Sequence, residues 1–198
     1  MYRRQGNKTA LQSQHMIVEA LFRLMKRKTF SSITVTEICE EADVGRKTFY
    51  RNFELREDVI DFWLDQRCAE CEKELIGVSV EEQLYHYCMF LKKHMDALIM
   101  LYQNSMHPMV EKKFSIFLTD TMPLWSEDPV EQEYRSRYII AGIDAIIRVW
   151  VNRGFQESVE EVAEIVKRAH QQQIPLPLDK QKHGGDNGHI REERREPR

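Results

Sequence analysis

Apolar residues recur at intervals of three and four along most of the chain, and this spacing constrains the fold more than any other feature. The clearest case runs from Leu84 to Tyr102, where the pattern predicts one sustained helix face. No stretch alternates between apolar and polar residues in the way that a half-buried strand does. The spacing therefore predicts an all-α protein.

Turn and cap signals divide this pattern into successive helices. We expect the first four over 10–28, 35–42, 46–53 and 56–76, and two late helices over 130–152 and after residue 158. Thr9 is the expected N-cap of the first helix, and Gly154 follows the end of the long helix over 130–152. The pattern Ser/Thr-x-x-Glu predicts capping boxes that begin at Thr34, Ser79 and Ser158.

Charge is unevenly distributed along the chain. The net charge of −3 argues by itself against nucleic acid as a partner. Residues 1–57, however, hold 11 basic and 7 acidic side chains, whereas the remainder holds 18 basic and 25 acidic ones. Because phosphate binding requires only a local positive face, a basic N-terminal module on an acidic body is compatible with binding DNA.

Three short helices in the first 55 residues, with a tight turn before the third, have the layout of a helix-turn-helix. Phe49 and Phe53 are four residues apart, so we expect both to face inward. The polar residues of this helix are then left for DNA: Arg46, Lys47, Thr48, Tyr50, Arg51 and Asn52. Arg and Asn can form paired hydrogen bonds to guanine and adenine, and Thr and Tyr hydroxyls commonly hold phosphates.

The stretch 33–53 resembles the DNA-binding signature of TetR-family regulators, most specifically in Thr48-Phe49-Tyr50-Arg51-Asn52-Phe53 followed by Arg56 and Glu57-Asp58. The resemblance implies an all-α homodimer that binds a palindromic operator on double-stranded DNA, usually as a repressor released by a small-molecule inducer. It implies an N-terminal three-helix helix-turn-helix DNA-binding domain and a C-terminal helical bundle for dimerisation and ligand binding.

The resemblance also assigns roles to single residues. Phosphate contacts are implied for Thr34, Thr36 and Arg56; Thr48, Tyr50 and Asn52 would lie nearest the DNA backbone, and Arg46 and Lys47 nearest the bases. This chain has Gly45 where the family usually has a serine N-cap, and Asn52 where a histidine is common. Residues 138–158 are similar in pattern to the closing helices of the subgroup that includes dihydroxyacetone-kinase operon regulators.

These patterns predict a DNA-binding domain over 1–57, a regulatory and dimerisation domain over 58–171, and a disordered, polar tail over 172–198. The N-terminus has no apolar stretch suited to a secretory signal, and no apolar run is long enough to span a membrane. We therefore expect a cytoplasmic protein. We expect no enzyme and no cofactor, since neither a Gly-rich phosphate loop nor a hydrolase motif is present.

The spacing of cysteines and histidines raises the question of a redox site and of a metal site. Cys68 and Cys71 lie on one helical stripe and read as small core residues, with a redox sensor as the open alternative. A metal site at His86, Cys88 and His94 is disfavoured because the two histidines are eight residues apart. We therefore predict no metal site.

The body should carry a dimer interface and a ligand site. The helix over 138–151 is apolar on most of its circumference, which predicts burial on two sides and a dimer contact that includes Ile139, Ala141, Gly142, Ile146 and Trp150. A ligand pocket beside the fourth helix would use Trp63, Tyr85, Met89 and His94. The alternative function is a co-regulator that acts through a protein partner without an inducer.

Overall fold

The computed structural model describes residues 8–121 and 127–171, and every regular element within these ranges is helical. The α-helices are α1 (Lys8–Met25), α2 (Val35–Glu41), α3 (Arg46–Asn52), α4 (Glu57–Leu75), α5 (Val80–Lys93), α6 (Met95–Gln103), α7 (His107–Thr121), α8 (Pro129–Asn152) and α9 (Val159–Gln171). A 3₁₀ turn, which we call the Phe30 turn, spans Phe30–Ser32 between α1 and α2. The all-α prediction is thus confirmed, while the predicted disordered tail over 172–198 lies outside the described residues.

Two of the three predicted capping boxes form. In α2, the N–H of Glu37 donates to Oγ1 of Thr34 at 3.2 Å and the N–H of Thr34 donates back to the Glu37 carboxylate at 2.9 Å. Ser158 and Glu161 make the same reciprocal pair before α9. At Ser79 the prediction is wrong, because its hydroxyl donates to the carboxylate of Glu82 and accepts no backbone N–H.

The first helix differs from the prediction at both ends. It begins at Lys8, so Thr9 lies inside the helix, where its carbonyl accepts the hydroxyl of Ser13 at 3.0 Å. The prediction of Thr9 as N-cap is therefore wrong. The helix ends at Met25, and in the turn that follows the N–H groups of Arg27 and Lys28 both donate to the carbonyl of Leu24.

The predicted single helix over 84–102 is two helices. His94 separates α5 from α6 with non-helical backbone angles (φ −107°, ψ 18°). Cys88, Leu91 and Leu98 are all buried on either side of this break. Because the three- and four-residue spacing of apolar residues continues across His94 through Met95, although Met95 itself is 38% exposed, the sequence pattern gives no sign of the interruption.

The helix α8 agrees with its prediction. It spans Pro129–Asn152, and the carboxylate of Asp128 caps its start by accepting the N–H of Val130 at 2.9 Å. After its end Gly154 has φ 68°, the left-handed conformation in which glycine carries no Cβ penalty.

The helix α4 connects two packed groups of helices. Helices α1, α2 and α3 pack against one another, and α4 contacts α1 on one side and α5 and α7 on the other. Helix α8 packs on α6, α7 and α9, and α9 also packs on α5. We call α1–α3 the DNA-binding module and α5–α9 the body. The predicted domain boundary at 57/58 falls at the first residues of α4, and one cluster of buried side chains continues across it.

None of the helices in the described ranges combines the length and the apolar character that a membrane span requires.

Candidate DNA-binding surface

Helix α3 is fixed to the module by its two phenylalanines. Phe49 and Phe53 are 0% and 1% exposed, with ring centroids 5.8 Å apart, and Phe53 also meets the ring of Phe62 of α4 at 5.8 Å. Aromatic pairs at these distances add to the burial of apolar area. Because these rings fix one side of α3 to the apolar core, the opposite side of the helix faces solvent.

The turn between α2 and α3 is tight and hydrogen bonded. Asp43 takes a left-handed conformation (φ 52°), which Asp tolerates better than most residues. The N–H of Val44 donates to the carbonyl of Cys39 at 3.0 Å, and the N–H of Thr48 donates to that of Gly45 at 2.8 Å. This geometry sets the angle between the two helices of the helix-turn-helix.

Ion pairs that join α2 to the end of α1 and to the turn after it use several of the module's cations. Arg23 Nε lies 2.8 Å from a carboxylate oxygen of Glu41, and Arg27 pairs with the other oxygen. Lys28 pairs with Glu37, and this bond together with those from Thr34 lowers the pKa of Glu37 to about 2. These cations therefore anchor α2 to α1, and the positive face toward DNA must come from α3.

Most of the predicted DNA residues lie on one exposed surface. Thr34 and Thr36 at the start of α2 are exposed, as are Arg46, Lys47, Tyr50 and Arg51 of α3, while Thr48 is half-buried. Thr36, Gly45 and Arg46 border one open cleft of about 390 Å³, so the starts of α2 and α3 face the same space. We call Thr34, Thr36, Arg46, Lys47, Thr48, Tyr50 and Arg51 the α2–α3 surface.

Asn52 is not part of this surface. It is 0% exposed, and its Nδ2 donates to the carbonyl of Thr48 at 2.8 Å at the end of the helix. Its Oδ1 is buried without a hydrogen-bond partner among the described residues. The prediction of Asn52 as a DNA-contacting residue is therefore wrong for this conformation, because the side chain is turned into the module.

Arg56 also has a different role from the predicted phosphate contact. One guanidinium nitrogen donates to the carbonyl of Phe30 at 3.2 Å and to that of Ile33, and Cζ lies 5.0 Å from the centre of the Phe30 ring. The side chain is only 26% exposed. Arg56 thus holds the Phe30 turn, and its charge is directed into the protein.

Two family descriptions match separate parts of the chain. "Bacterial regulatory proteins, tetR family" matches residues 17–61, and "Transcriptional regulator C-terminal region" of the TetR type matches residues 79–172.

The chain belongs to the TetR family of transcriptional regulators.

Solved structures agree with this assignment at the level of the fold. A TetR transcriptional regulator from Streptococcus agalactiae 2603V is 18% identical with a TM-score of 0.63, over 80% of this chain and 93% of that one. The dihydroxyacetone kinase operon activator DhaS is 20% identical with a TM-score of 0.54, over 79% and 93%. No curated protein matches the chain. As a TetR-family member the protein is a DNA-binding regulator and not an enzyme.

The four residues predicted to bind a ligand in this TetR-family regulator are not brought together. Trp63 and His94 meet edge to face with ring centroids 6.2 Å apart. Tyr85 instead donates its hydroxyl to Glu160 of α9 at 3.0 Å, and Met89 is 47% exposed. Tyr85 and Met89 face away from α4, so the prediction of one shared pocket is wrong for this conformation.

His94 is the chemically unusual member of that set. Its Nε2 is buried, lies 3.8 Å from the carboxylate of Glu70, and has no hydrogen-bond partner among the described residues. Burial lowers the pKa of His94, and the nearby Arg67 lowers it further. The His94 imidazole therefore sits at the junction of α4, α5 and α6 with one ring nitrogen unsatisfied.

A polar cluster in the middle of the body was not predicted. Tyr87, Tyr102, Glu111 and Asp144 border a small cavity of about 10 Å³ among α5–α8, roughly the space of one water. Burial raises the pKa of Asp144 to about 6, and the Glu111 carboxylate adds to this shift. Arg148 Nε lies 2.8 Å from Glu111. The available signal was the pair Asp144 and Arg148, which interrupts the apolar run of α8.

The predicted dimer residues divide into two groups. Trp150 is 2% exposed, donates its indole N–H to the carbonyl of Glu157 at 3.1 Å, and has its ring centroid 4.6 Å from that of Phe155. Its prediction as an interface residue is therefore wrong. Ala141 and Gly142 are exposed, and Ile139 and Ile146 are half-buried against the core.

An exposed apolar row along α8 was only partly predicted. We call it the α8 stripe, and its members are Val130, Tyr134, Tyr138, Ala141, Ala145 and Val149. Tyr134 and Tyr138 are 74% and 76% exposed. The four- and three-residue spacing of the stripe was visible in the sequence, but its outward direction depends on which side of α8 packs on α6 and α7.

The cysteines carry no sign of reactivity. All four are free thiols, and Cys71 and Cys88 are buried. Burial raises the pKa of Cys68, Cys71 and Cys88 to about 12. Because the thiolate is the reactive form, these values favour the core interpretation of Cys68 and Cys71. No group of His, Cys, Asp or Glu within the described ranges has the arrangement of a metal site.

Proposed function

We propose that the protein is a homodimeric repressor that binds a near-palindromic DNA site through two copies of the α2–α3 surface and is released by a small-molecule effector. The observation that carries the proposal is the exposed row of hydroxyl and cationic side chains on a helix that Phe49 and Phe53 hold rigidly. Arg46 and Lys47 would read bases, and Thr34, Thr36, Thr48, Tyr50 and Arg51 would hold phosphates.

Dimerisation is supported by the α8 stripe. Monomeric proteins rarely expose a continuous apolar row of this length, and Ala141 and Gly142 would let a second helix approach closely. Beside the stripe, Ala145 and Val149 border an open groove of about 470 Å³ together with Val162 and Ile165 of α9. Two copies packed through α8 and α9 would cover both features and repeat the α2–α3 surface about a twofold axis.

Control by an effector is supported by His94. A buried ring nitrogen without a partner is uncommon and calls for a ligand, an ion or a water. The indole of Trp63 on α4 lies against the same ring, so a molecule that binds His94 Nε2 would contact α4 directly. Since α4 also packs on α1, such a molecule would favour one orientation of the module over another.

The sign of regulation is a separate part of the proposal. The similar structure of DhaS is described as that of an operon activator, and an activator would place the same module on DNA. The alternative of a co-regulator that acts through a protein partner uses the same exposed surfaces. It would be favoured if no small molecule changed the melting temperature or the DNA affinity.

The test begins with selection of duplexes from a random DNA pool by the full-length chain. We expect a near-palindromic site whose half-sites are spaced by about one helical turn. Binding should weaken steeply with salt because each neutralised phosphate releases counterions. A pool that shows no enrichment after repeated selection would contradict the proposal. A reporter gene placed behind the selected site then distinguishes repression from activation.

The effector is tested separately on the same protein. Tryptophan fluorescence is titrated with a panel of candidate metabolites in the wild type and in His94→Ala and Trp63→Phe variants. We expect an active compound to release DNA from the wild type and to lose potency on His94→Ala. A compound that acts equally on all three proteins would place the effector site elsewhere.

A further inference from the structure

The Phe30 turn is hydrogen bonded on two sides by residues that are distant in sequence. The N–H of Phe30 donates to Oδ1 of Asn104, 74 residues further along the chain, at 2.7 Å. On the other side Arg56 donates to the carbonyls of Phe30 and Ile33. Phe30 itself is 2% exposed, so its backbone N–H has little access to water if Asn104 is removed.

The acceptor on Asn104 has a fixed direction. Asn104 is the C-cap of α6, and its Nδ2 donates to the carbonyl of Met100 at 2.9 Å in the last turn of that helix. The next residue, Ser105, turns the chain away with φ 60°. The side-chain oxygen is therefore fixed to the end of α6, and its position changes only when the end of that helix moves.

The Phe30 turn leads directly into the DNA-binding helices. One residue, Ile33, separates the turn from Thr34, the N-cap of α2. Ile33 is 0% exposed and its carbonyl is held by Arg56. A displacement of the turn must therefore shift the start of α2, which carries Thr34 and Thr36 of the α2–α3 surface.

We propose that Asn104 and Arg56 are positioning residues for DNA binding, which clamp the Phe30 turn between the end of α6 and the start of α4 and thereby set the orientation of α2 and α3. Neither residue contacts DNA. The clamp gives α6 a direct connection to the DNA-binding module that does not pass through the length of α4. The inference rests on the proposed DNA-binding surface.

The first experiment compares three variants of the full chain for affinity to the selected duplex and for melting temperature. Asn104→Leu removes the acceptor at similar volume, Asn104→Asp retains an acceptor for the Phe30 N–H, and Gln103→Leu changes the exposed neighbour as a control. We expect Asn104→Leu to weaken DNA binding about five- to tenfold, the range of one hydrogen bond, and Gln103→Leu to remain within about twofold. Asn104→Asp should fall between them, because it keeps an acceptor for the Phe30 N–H but loses the Nδ2 bond to Met100 that fixes the direction of that acceptor.

Melting temperature alone cannot distinguish positioning from stability, but affinity can. A protein that is less stable yet still folded keeps the dissociation constant of its folded form, because only a minute fraction is unfolded. If Asn104→Leu lowers the melting temperature and leaves DNA affinity unchanged, Asn104 only stabilises the fold and the inference is overturned. If Tyr50→Ala also leaves affinity unchanged, the DNA-binding surface itself is misplaced and the proposed function fails as well.

A second variant keeps the inference testable if Asn104→Leu does not fold. Arg56→Met removes the donor to the Phe30 turn, and its DNA affinity is measured as a function of salt. A positioning role predicts weaker binding at every salt concentration with an unchanged slope. A slope reduced by about 1 would mean that Arg56 neutralises a phosphate, and it would overturn the positioning role.

Discussion

The DNA-binding module and the body use the same kinds of side chain, but the roles of single residues follow from the sequence far more closely in the module. In the module, a capping box at Thr34, a tight turn before Gly45 and the Phe49–Phe53 pair act over a few residues and fix which side of α3 is exposed. In the body, the role of a residue depends on which distant helix covers it. Trp150 illustrates this, because it belongs to an apolar helix whose exposed side was a candidate interface, yet its own side chain is buried in the core.

The difference shows that caps, turns and residue spacing determine which side chains of a helix are exposed only when the helix is short. Helix α3 has seven residues and one buried side. Helix α8 is 24 residues long and packs against three other helices. Every apolar residue of α8 was therefore a candidate for both the core and the dimer interface. Substitutions that separate these two environments test the comparison directly.

The largest expected effect is that of Trp150→Ala. Trp150 is almost fully buried and its indole N–H is hydrogen bonded to Glu157, so its removal leaves a large cavity and an unsatisfied carbonyl. We expect the free energy of unfolding to fall by about 3–5 kcal/mol, as for other large core aromatics. Urea denaturation at fixed protein concentration measures this loss.

The matched variant for this prediction is Tyr138→Ala, which removes an aromatic side chain of the same helix that is 76% exposed. The fold of each subunit should be retained, and light scattering should show a weaker dimer. If Tyr138→Ala destabilised the chain as strongly as Trp150→Ala, the α8 stripe would be part of a core, and the exposed and buried sides of α8 would not differ in role.

The second prediction concerns base reading in the module. Arg46→Ala should weaken binding to the selected site by about 1–3 kcal/mol if the guanidinium makes a paired contact to guanine, and should relax base preference at one position of each half-site. Gel shifts with the selected duplex and its single-base variants measure both effects. Lys112→Ala, which removes an exposed cation of α7, is the charge-matched control and should change little. Equal losses in the two variants would indicate a purely electrostatic contribution.

Much of the architecture followed from the sequence because helices and caps are local. The break at His94 did not, since the three- and four-residue spacing of apolar residues continues across it. Asn52 was predicted to contact DNA as a polar residue of α3, and Arg56 because of the family resemblance. Their partners are instead backbone carbonyls, of Phe30 and Ile33 for Arg56 and of Thr48 for Asn52. No property of Asn104 in the sequence indicates that it meets Phe30, because that contact exists only after α6 packs near the module.

The third prediction uses the buried Asp144 in the body. Its folded pKa of about 6 lies above the usual value of 3.8, so the folded protein binds a proton more tightly than the unfolded chain does. The cost of ionising Asp144 is therefore fully present above about pH 6 and disappears as the pH falls below about 4. Asp144→Asn should stabilise the protein at about pH 7.5 by about 1 kcal/mol, reduced from the full shift because the carboxyl is partly solvated.

Measurement of the Asp144→Asn effect at several pH values tests its origin. The gain in the free energy of unfolding should shrink steadily as the pH is lowered from about 7.5 toward about 4. Asp120→Asn, at an exposed position of α7, provides a control that should show no such trend. A gain that is independent of pH would mean that the introduced amide improves packing or hydrogen bonding and that ionisation of Asp144 is not costly.

The smallest expected effect returns to the module and its departure from the family pattern at Gly45. Gly45 has φ −72° and ψ 148°, close to the angles of Thr34, which caps α2, and a Cβ added at Gly45 meets nothing within 4 Å. A serine can therefore take this conformation and accept the N–H of Lys47 or Thr48. Gly45→Ser should stabilise the protein by about 0.5–1 kcal/mol, partly through the cap and partly by restricting the unfolded chain. Gly45→Ala provides only the second contribution, so the difference in melting temperature between the two variants isolates the cap. Equal melting temperatures would show that the hydroxyl makes no bond, and that α3 depends on Phe49 and Phe53 rather than on its N-terminus.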